Sequence, residues 1–416
     1  MNTKIITSVG LCALMFQSYS QGINYNKGGL STITTAVPFL LITPDARAGG
    51  MGDVGVASSP DANSMYWNPS KFAFADKDFG MSMSYTPWLR ALVPDISLTS
   101  VSAYKKLNKM AAIAGSLRYF TLGSVQFTDN SGNAIGTFKP NEFAIDVGYS
   151  QKLSQHFSVG IAGRYINSNL TNSIPLPGSS TTTHPGRAFA VDMSCYYHSK
   201  KLDVGEKKGE ASFGVDLSNI GNKISYTDNA DASSQSFLPT QLRIGGGFKL
   251  HLDEYNTITF LADVTKLLVP TPPVWQLDAQ GNRIPDGNGS YLIAAGKDPY
   301  RPIVPGMLGS FTDSPTGFTG EMQEIRASTG LEYWYNNLLA FRTGYYYENK
   351  YQGDRQYITF GLGVKYSVFS IDMSYLTPLT QRNPLQNTLR FSLLFDFSAF
   401  KAQNAANPPA DAGVAK

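Results

Sequence analysis

The chain has 416 residues, with 34 Lys and Arg against 31 Asp and Glu, and a formal net charge of +3 that is too slight to argue for a nucleic-acid partner. Only 16% of residues are charged, whereas Gly (39), Tyr (23) and Phe (24) are plentiful, a composition suited to tight turns and to the aromatic girdles of a membrane interface. No stretch beyond the N-terminus reaches the ~20 apolar residues of a transmembrane helix, so any membrane crossing must be made by strands.

In chain order, Lys4, the apolar run Ile5 to Phe16 and the small-x-small ending Ser18-Tyr19-Ser20 predict a secretory signal over residues 1–20. Cys12 leaves with it, and Cys195 alone cannot form an intrachain disulfide. Residues 21–78 lack strand alternation and are assigned to an N-terminal plug. Their stretch Ala46 to Ala57 is built of Gly and small residues, able to pack in a lumen too wide for side chains alone to fill. It includes Gly49 and the spacing Gly50-x-Gly52-x-x-Gly55, formally a dinucleotide fingerprint. No βαβ unit follows, so the glycines are assigned to tight turns and close backbone approach, and no cofactor is expected.

From Phe79 onward apolar and polar residues alternate, most clearly in Phe369 to Tyr375 and Leu389 to Phe397, the pattern of a strand with lipid on one face. Fourteen strands are predicted, beginning near Phe79, Ile96, Met110, Glu142, Phe157, Arg187, Ser212, Gln241, Thr257, Arg326, Leu339, Tyr357, Phe369 and Thr388. The fold class is therefore all-β, a 14-stranded antiparallel transmembrane barrel over 79–397 with the plug in its lumen and a polar tail at 398–416. An exported chain with many alternating strands and no helical span points to the outer membrane of a Gram-negative bacterium, and the alternation of short with long links places both termini in the periplasm. The link Ser199 to Glu210 is long for an inner turn, and Gly115 is a candidate strand kink. The longest external loop, 266–323, reads as structureless and proline-rich.

The charges inside strands fall in the polar phase and predict a lumenal network: Asp146, Arg164, Asp192, Asp216, Arg243, Asp263, Arg342, Lys365, Asp372, Arg390 and Asp396. A basic residue facing lipid at the midplane would cost ~2–4 kcal/mol. Both signs are present, which favours ion pairs filling the barrel over a selective ion path. The four histidines, His156, His184, His198 and His251, have no metal-ligand or triad spacing, so no enzyme activity is expected. Candidate partner-binding side chains are Trp88, Leu89 and Leu92 after the first strand, and Trp275, Tyr291, Tyr300, Phe311 and Phe318 in the long loop. The alternative is that both loops fold over the mouth as a lid.

Two runs carry a family resemblance: Thr43-Pro44-Asp45-Ala46-Arg47-Ala48-Gly49-Gly50-Met51-Gly52, and Asp61 to Ser70 with Trp67, Asn68 and Pro69. They resemble the plug signature of the PorV family, outer-membrane components of the Bacteroidetes type IX secretion system. More distantly the arrangement is similar to the long-chain fatty acid transporters, whose barrels hold an N-terminal hatch. The PorV resemblance implies a shuttle that binds cargo through C-terminal targeting domains. Such a protein would receive cargo from the large translocon barrel subunit and hand it to a cell-surface attachment complex. That complex carries a signal-removing protease and links cargo to outer-membrane lipopolysaccharide. The distant resemblance implies a transporter of fatty acids or other hydrophobic small molecules, for which Val37 to Ile42 could line a path.

Overall fold

The computed structural model describes residues 32–397, apart from 91–92, 94, 129–130, 171–182, 229–230, 288–289 and 381–382. The expected signal, the first part of the plug, Leu92 and the polar tail lie outside the described residues. The alternating segments form β1 (Phe79–Pro87), β2 (Ser97–Lys106), β3 (Ala111–Thr121), β4 (Asn141–Lys152), β5 (Phe157–Asn169), β6 (Gly186–His198) and β7 (Lys207–Gly221). They continue as β8 (Gln241–His251), β9 (Asn256–Leu267), β10 (Arg326–Tyr335), β11 (Leu339–Tyr347), β12 (Gln356–Tyr366), β13 (Phe369–Pro378) and β14 (Thr388–Asp396). Each pairs antiparallel with its chain neighbour, and β14 pairs with β1 from Gly80↔Asp396 to Tyr85↔Phe391, so the sheet closes into a 14-stranded barrel. Closure leaves no strand edge unpaired, which is what a sheet needs to cross hydrocarbon.

The period of two decides which face each residue takes. In β13, Asp372, Ser374 and Leu376 are buried while Ile371, Met373 and Tyr375 are exposed. Thirteen of the fourteen predicted starts fall within one residue of the observed ones; β7 instead begins at Lys207, not Ser212. Leu202–Val204 pairs with Lys207, Lys208 and Gly209 around Gly205 (φ 64), a hairpin continuing past the barrel, and this accounts for the long Ser199 to Glu210 link. The predicted kink at Gly115 is absent, because its register runs unbroken through Ala103 and Val147. The barrel's irregularity lies in β7, where the pairing with β6 shifts between Leu217 and Ile220. There Asn219 (φ 62) and Ser218 are both buried, so the bulge turns an extra polar side chain inward.

Residues 32–78 contain a 3-10 turn (Pro38–Leu41), α1 (Ala46–Gly49), α2 (Ser64–Trp67) and a second 3-10 turn (Pro69–Phe74). Their polar groups meet inward-facing residues all round the barrel. Ala46 N donates to Ser392 Oγ of β14 (2.8 Å), Gly52 N to Thr359 Oγ1 of β12 (2.8 Å) and Asn68 Nδ2 to the Cys195 carbonyl of β6 (2.9 Å). From the wall, Ser102 Oγ of β2 donates to Ala62 O (2.6 Å), Ser158 Oγ of β5 to Ser70 O (2.8 Å) and Ser212 Oγ of β7 to Ala57 O (2.7 Å). Cys195 follows Ser194 on the outward phase beside exposed Met193.

The β9–β10 link is not structureless. Val274–Trp275 pairs with Ile293–Ala295, and α3 (Ile303–Gly309) and α4 (Phe318–Gln323) follow. Its prolines did not prevent local order: Pro302 stands at the N-cap of α3, and Pro305 sits within its first turn, where the missing N–H costs nothing.

Candidate functional site

The interior is held by buried ion pairs of alternating sign. Arg47, from α1, donates Nε and Nη2 to the two oxygens of Glu332 (3.0 and 2.9 Å) and Nη1 to Asp61 (2.9 Å). Glu332 also accepts from Arg342 Nε (2.9 Å), whose Nη1 reaches Asp372 (2.7 Å). Arg390 faces Asp53 at 3.2 Å. On the opposite wall Arg164 bridges Asp146 and Asp192 (2.7 Å to the latter), Arg118 stands 3.4 Å from Asp146, and Arg164 also donates to the bulge residue Asn219. Asp216 sits 3.7 Å from Arg243. Asp263 accepts from the consecutive amides of Gly55 and Val56 (2.8 and 3.0 Å), a small backbone nest holding a carboxylate. Arg47, Glu332 and the nest thus fasten the N-terminal segment to β9 and β10.

Two residues assigned to this network stand apart from it. Lys365 is on the inward phase but exposed in the last residues of β12, beside the Ser367 turn, and Asp396 is partly exposed, 4.0 Å from Lys77 at the same short-turn end. Alternation sets the face of a residue and not its height along the strand. Alternation also applies to Glu332, which shares the inward phase of β10 with Arg326, Ser328 and Gly330 and is, like Arg118 and Arg326, a buried charge absent from the expected network.

The glycines act through close approach. A methyl group on Gly55 would lie 2.3 Å from the Trp67 ring, and one on Gly50 2.9 Å from the Gly361 Cα of β12. Gly49 packs against Arg390, and Gly52, at φ +73, lies against the Tyr345 backbone of β11. Trp67 Nε1 donates to Asp45 (2.7 Å), and Asn68 accepts from Ser70 N (3.1 Å), capping the turn that Pro69 opens. From the wall side, a methyl on Gly344 would meet Met51 at 2.0 Å. Gly344→Val should therefore destabilise docking of the segment by about 1–3 kcal/mol or more, read as faster proteolysis of residues 32–78 in the folded barrel. Unchanged protection would mean that the wall yields there.

At the long-loop end, the candidate partner residues divide. Trp88 and Leu89 are half-buried against the clusters of Val37 and Phe39 and of Leu376 and Leu385, so they belong to the interior and are not a free surface. Trp275 and Tyr291 meet edge to face (6.0 Å) with Arg283 over both rings, and Tyr300 is half-buried with its carbonyl accepting from Lys223. Phe311 (46% exposed) and Phe318 (79%) do project outward. Sequence reading missed their neighbours Val304, Leu308 and Met322, at 59, 69 and 50% exposure. The i, i+4 spacings 304/308 and 318/322 were the available signal. Lys266 holds this loop down through Glu321 (2.9 Å) and Glu324 (2.5 Å); burial pushes the Glu324 carboxyl up from its ordinary value against the pull of Lys266. Lys266 follows the outward phase of β9, in which Phe260 and Val264 are exposed, so α4 is fastened on the outer flank of the rim.

Among the described residues no group of three or more His, Cys, Asp or Glu is placed to hold a metal. His156 and His198 meet ring to ring (5.4 Å) beside Phe74 at the short-turn end, and among the described residues no nucleophile is hydrogen-bonded to either.

No curated protein matches the chain. Among solved structures it is similar to a Pseudomonas aeruginosa FadL homologue (12% identity, 89% of this chain and 100% of that one, TM-score 0.43). It is also similar to the Pseudomonas putida toluene transporter TodX (11% identity, 88% and 98%, TM-score 0.43). The family model described as type IX secretion system protein PorV matches residues 25–274, more than half of the sequence, and includes both runs around Arg47 and Asn68. The chain belongs to the PorV family of type IX secretion system proteins, as an outer-membrane β-barrel.

Proposed function

We propose that this protein is the adaptor through which secreted proteins, recognised by their C-terminal targeting domains, pass from the large translocon barrel subunit to the attachment complex at the cell surface. The observation that carries the reading is the β9–β10 loop. It is ordered, anchored by Lys266, and presents Val304, Leu308, Phe311, Phe318 and Met322 to the outside on the flank of the rim. Isolated exposed apolar residues need no explanation, but five of them within nineteen residues, on two short helices and the turn between them, fit a protein partner standing beside the barrel. Family membership supports the secretion setting. The alternative of small-molecule passage is disfavoured by the interior, where the N-terminal segment is tied to the wall by Arg47 and by the Asp263 nest and acts as a fixed plug. In this reading the long loops and the rim face the cell exterior, and both termini face the periplasm.

Capture of the tagged protein from gently solubilised outer membranes, followed by mass spectrometry, tests the reading. Recovery of a very large barrel subunit and of secreted proteins sharing a C-terminal domain is the expected result, and Leu308→Ser with Phe318→Ser should cut that recovery by about tenfold or more. A protein that comes out alone, or with fatty acid as its sole companion, would overturn the adaptor.

A further inference from the structure

A cavity of about 560 Å³ opens among the long-loop ends of the strands, between the N-terminal segment and the wall. One side is apolar: Phe39, Trp88, Leu89, Ile96, Phe120 and Leu122. The other carries four arginines, Arg243, Arg326, Arg355 and Arg390. Three of them have carboxylates. Arg355 is gripped by Glu348 (2.6 and 2.7 Å), Arg390 faces Asp53 (3.2 Å) and Arg243 faces Asp216 (3.7 Å).

Arg326 differs. It is 8% exposed, and among the described residues its side chain has one polar partner, the Gln241 amide oxygen at 3.3 Å. That oxygen is contested: with the amide turned over it accepts instead from Arg243 Nε at 3.2 Å. One carbonyl oxygen thus stands between two guanidinium groups; Arg243 also donates to the Tyr66 carbonyl (2.6 Å) and faces Asp216, whereas Arg326 has no second polar partner among the described residues. A buried cation so under-supplied is costly, and an anion entering the cavity would relieve it. The hydroxyls of Thr265, opposite Arg326 on β9, and Ser328, two residues along the same face, line the same cavity and make no hydrogen bond among the described residues.

We propose that this cavity holds an apolar chain ending in a carboxylate, specifically the C-terminal residues of a bound polypeptide. The carboxylate pairs with Arg326, and the apolar side chains lie against Phe39, Phe120 and Trp88. The hydroxyls of Thr265 and Ser328 take the adjoining backbone N–H groups. A fatty acid has the same head and tail but no N–H to offer those acceptors, which is why the peptide is the favoured source. The volume falls within the ~300–1,000 Å³ of small-ligand sites: enough for an extended chain end and too little for a folded domain. The inference rests on the adaptor reading, to which it adds the recognised group.

The test uses the full chain in detergent micelles and a fluorescein-labelled hexapeptide of valine and alanine, with either a free or an amidated C-terminus, followed by anisotropy. The free acid is expected to bind at least about tenfold more tightly than the amide, since the difference is a buried charge-assisted hydrogen bond. Arg326→Gln should abolish the preference without weakening the amide. The acid-against-amide comparison needs no variant, so it decides even where Arg326→Gln does not fold. Equal binding of acid and amide overturns the inference. So does Arg326-dependent binding of palmitate by a protein that ignores both peptides, which would make the cavity a lipid site. Recovery of secreted partners in the capture experiment despite either result would leave the adaptor standing without this seat. A protein captured alone that still prefers the free acid would retain the seat without the adaptor.

Discussion

Replacing Arg47 by alanine is expected to free the N-terminal segment from the barrel wall while leaving the barrel itself closed. Among the described residues Arg47 is the one side chain that joins Asp61, on its own segment, to Glu332 on β10. Removing one partner of a buried ion pair costs ~3–5 kcal/mol because the remaining charge is stranded. Two features pull the cost toward the lower end. Glu332 keeps Arg342 at 2.9 Å, and Asp61 retains some access to water. None of the strand-to-strand ladders passes through Arg47, so the barrel should retain its resistance to heat and detergent. The measurement is protease cleavage within residues 32–78 of the purified barrel, with Arg47→Lys as control. Lysine keeps the charge but cannot reproduce the two-pronged contact with Glu332, so it should fall between wild type and alanine. Protection equal to wild type in the alanine variant would show that the glycine contacts and the Asp263 nest suffice without the ion pair.

Excising residues 274–320 and joining β9 to β10 with a short Gly/Ser linker should remove partner binding almost entirely and still give a folded, inserted protein. The β9–β10 ladder runs from Asn256↔Tyr335 to Thr265↔Arg326 and contains nothing from the excised segment. The deletion takes α3, nearly all the exposed apolar side chains, and much of α4 with them. Interface anchors contribute ~2 kcal/mol or more each, and losing several together should bring recovery of cargo and translocon to background. Lys266 keeps Glu321 and Glu324, which lie beyond the excised residues, so the shortened link retains its anchor at the rim. Full secretion by the shortened protein would sink the assignment of binding to this loop.

The barrel was legible in the sequence because its determinant is local. Each strand had to place oil outward and polar groups inward at every second residue, and that constraint fixes start, end and face almost unaided. It failed at Lys207 because a polar hairpin continues the ladder beyond the membrane, where no alternation is required. It failed for Lys365 and Asp396 because both strand ends obey the same parity as the middle. The role of the glycines at 50, 52 and 55 followed from backbone freedom, but the wall glycines Gly344 and Gly361 that face this stretch did not, being 292 residues from Gly52 and 311 from Gly50 with no local mark. The inner placement of Trp88 was hidden for a similar reason: a tryptophan in a loop looks the same whether it meets a partner or its own chain. The Arg326 cavity is the furthest from sequence. Arg243, Arg326, Arg355 and Arg390 come from four distant positions, and only barrel closure brings them to one wall.

That distance has a temporal side. Residues of the N-terminal segment find hydrogen-bond partners close to the end of the barrel: Ala46 with Ser392, 346 positions apart, and Gly52 with Thr359, 307 apart. Such contacts demand that nearly the whole chain be in place before they repay the loop that joins them. The N-terminal segment must therefore wait, without its shelter of hydroxyls and carboxylates, until β14 has met β1. For this segment the order of synthesis and the order of consolidation run in opposite directions: made before the barrel, it comes to rest after it.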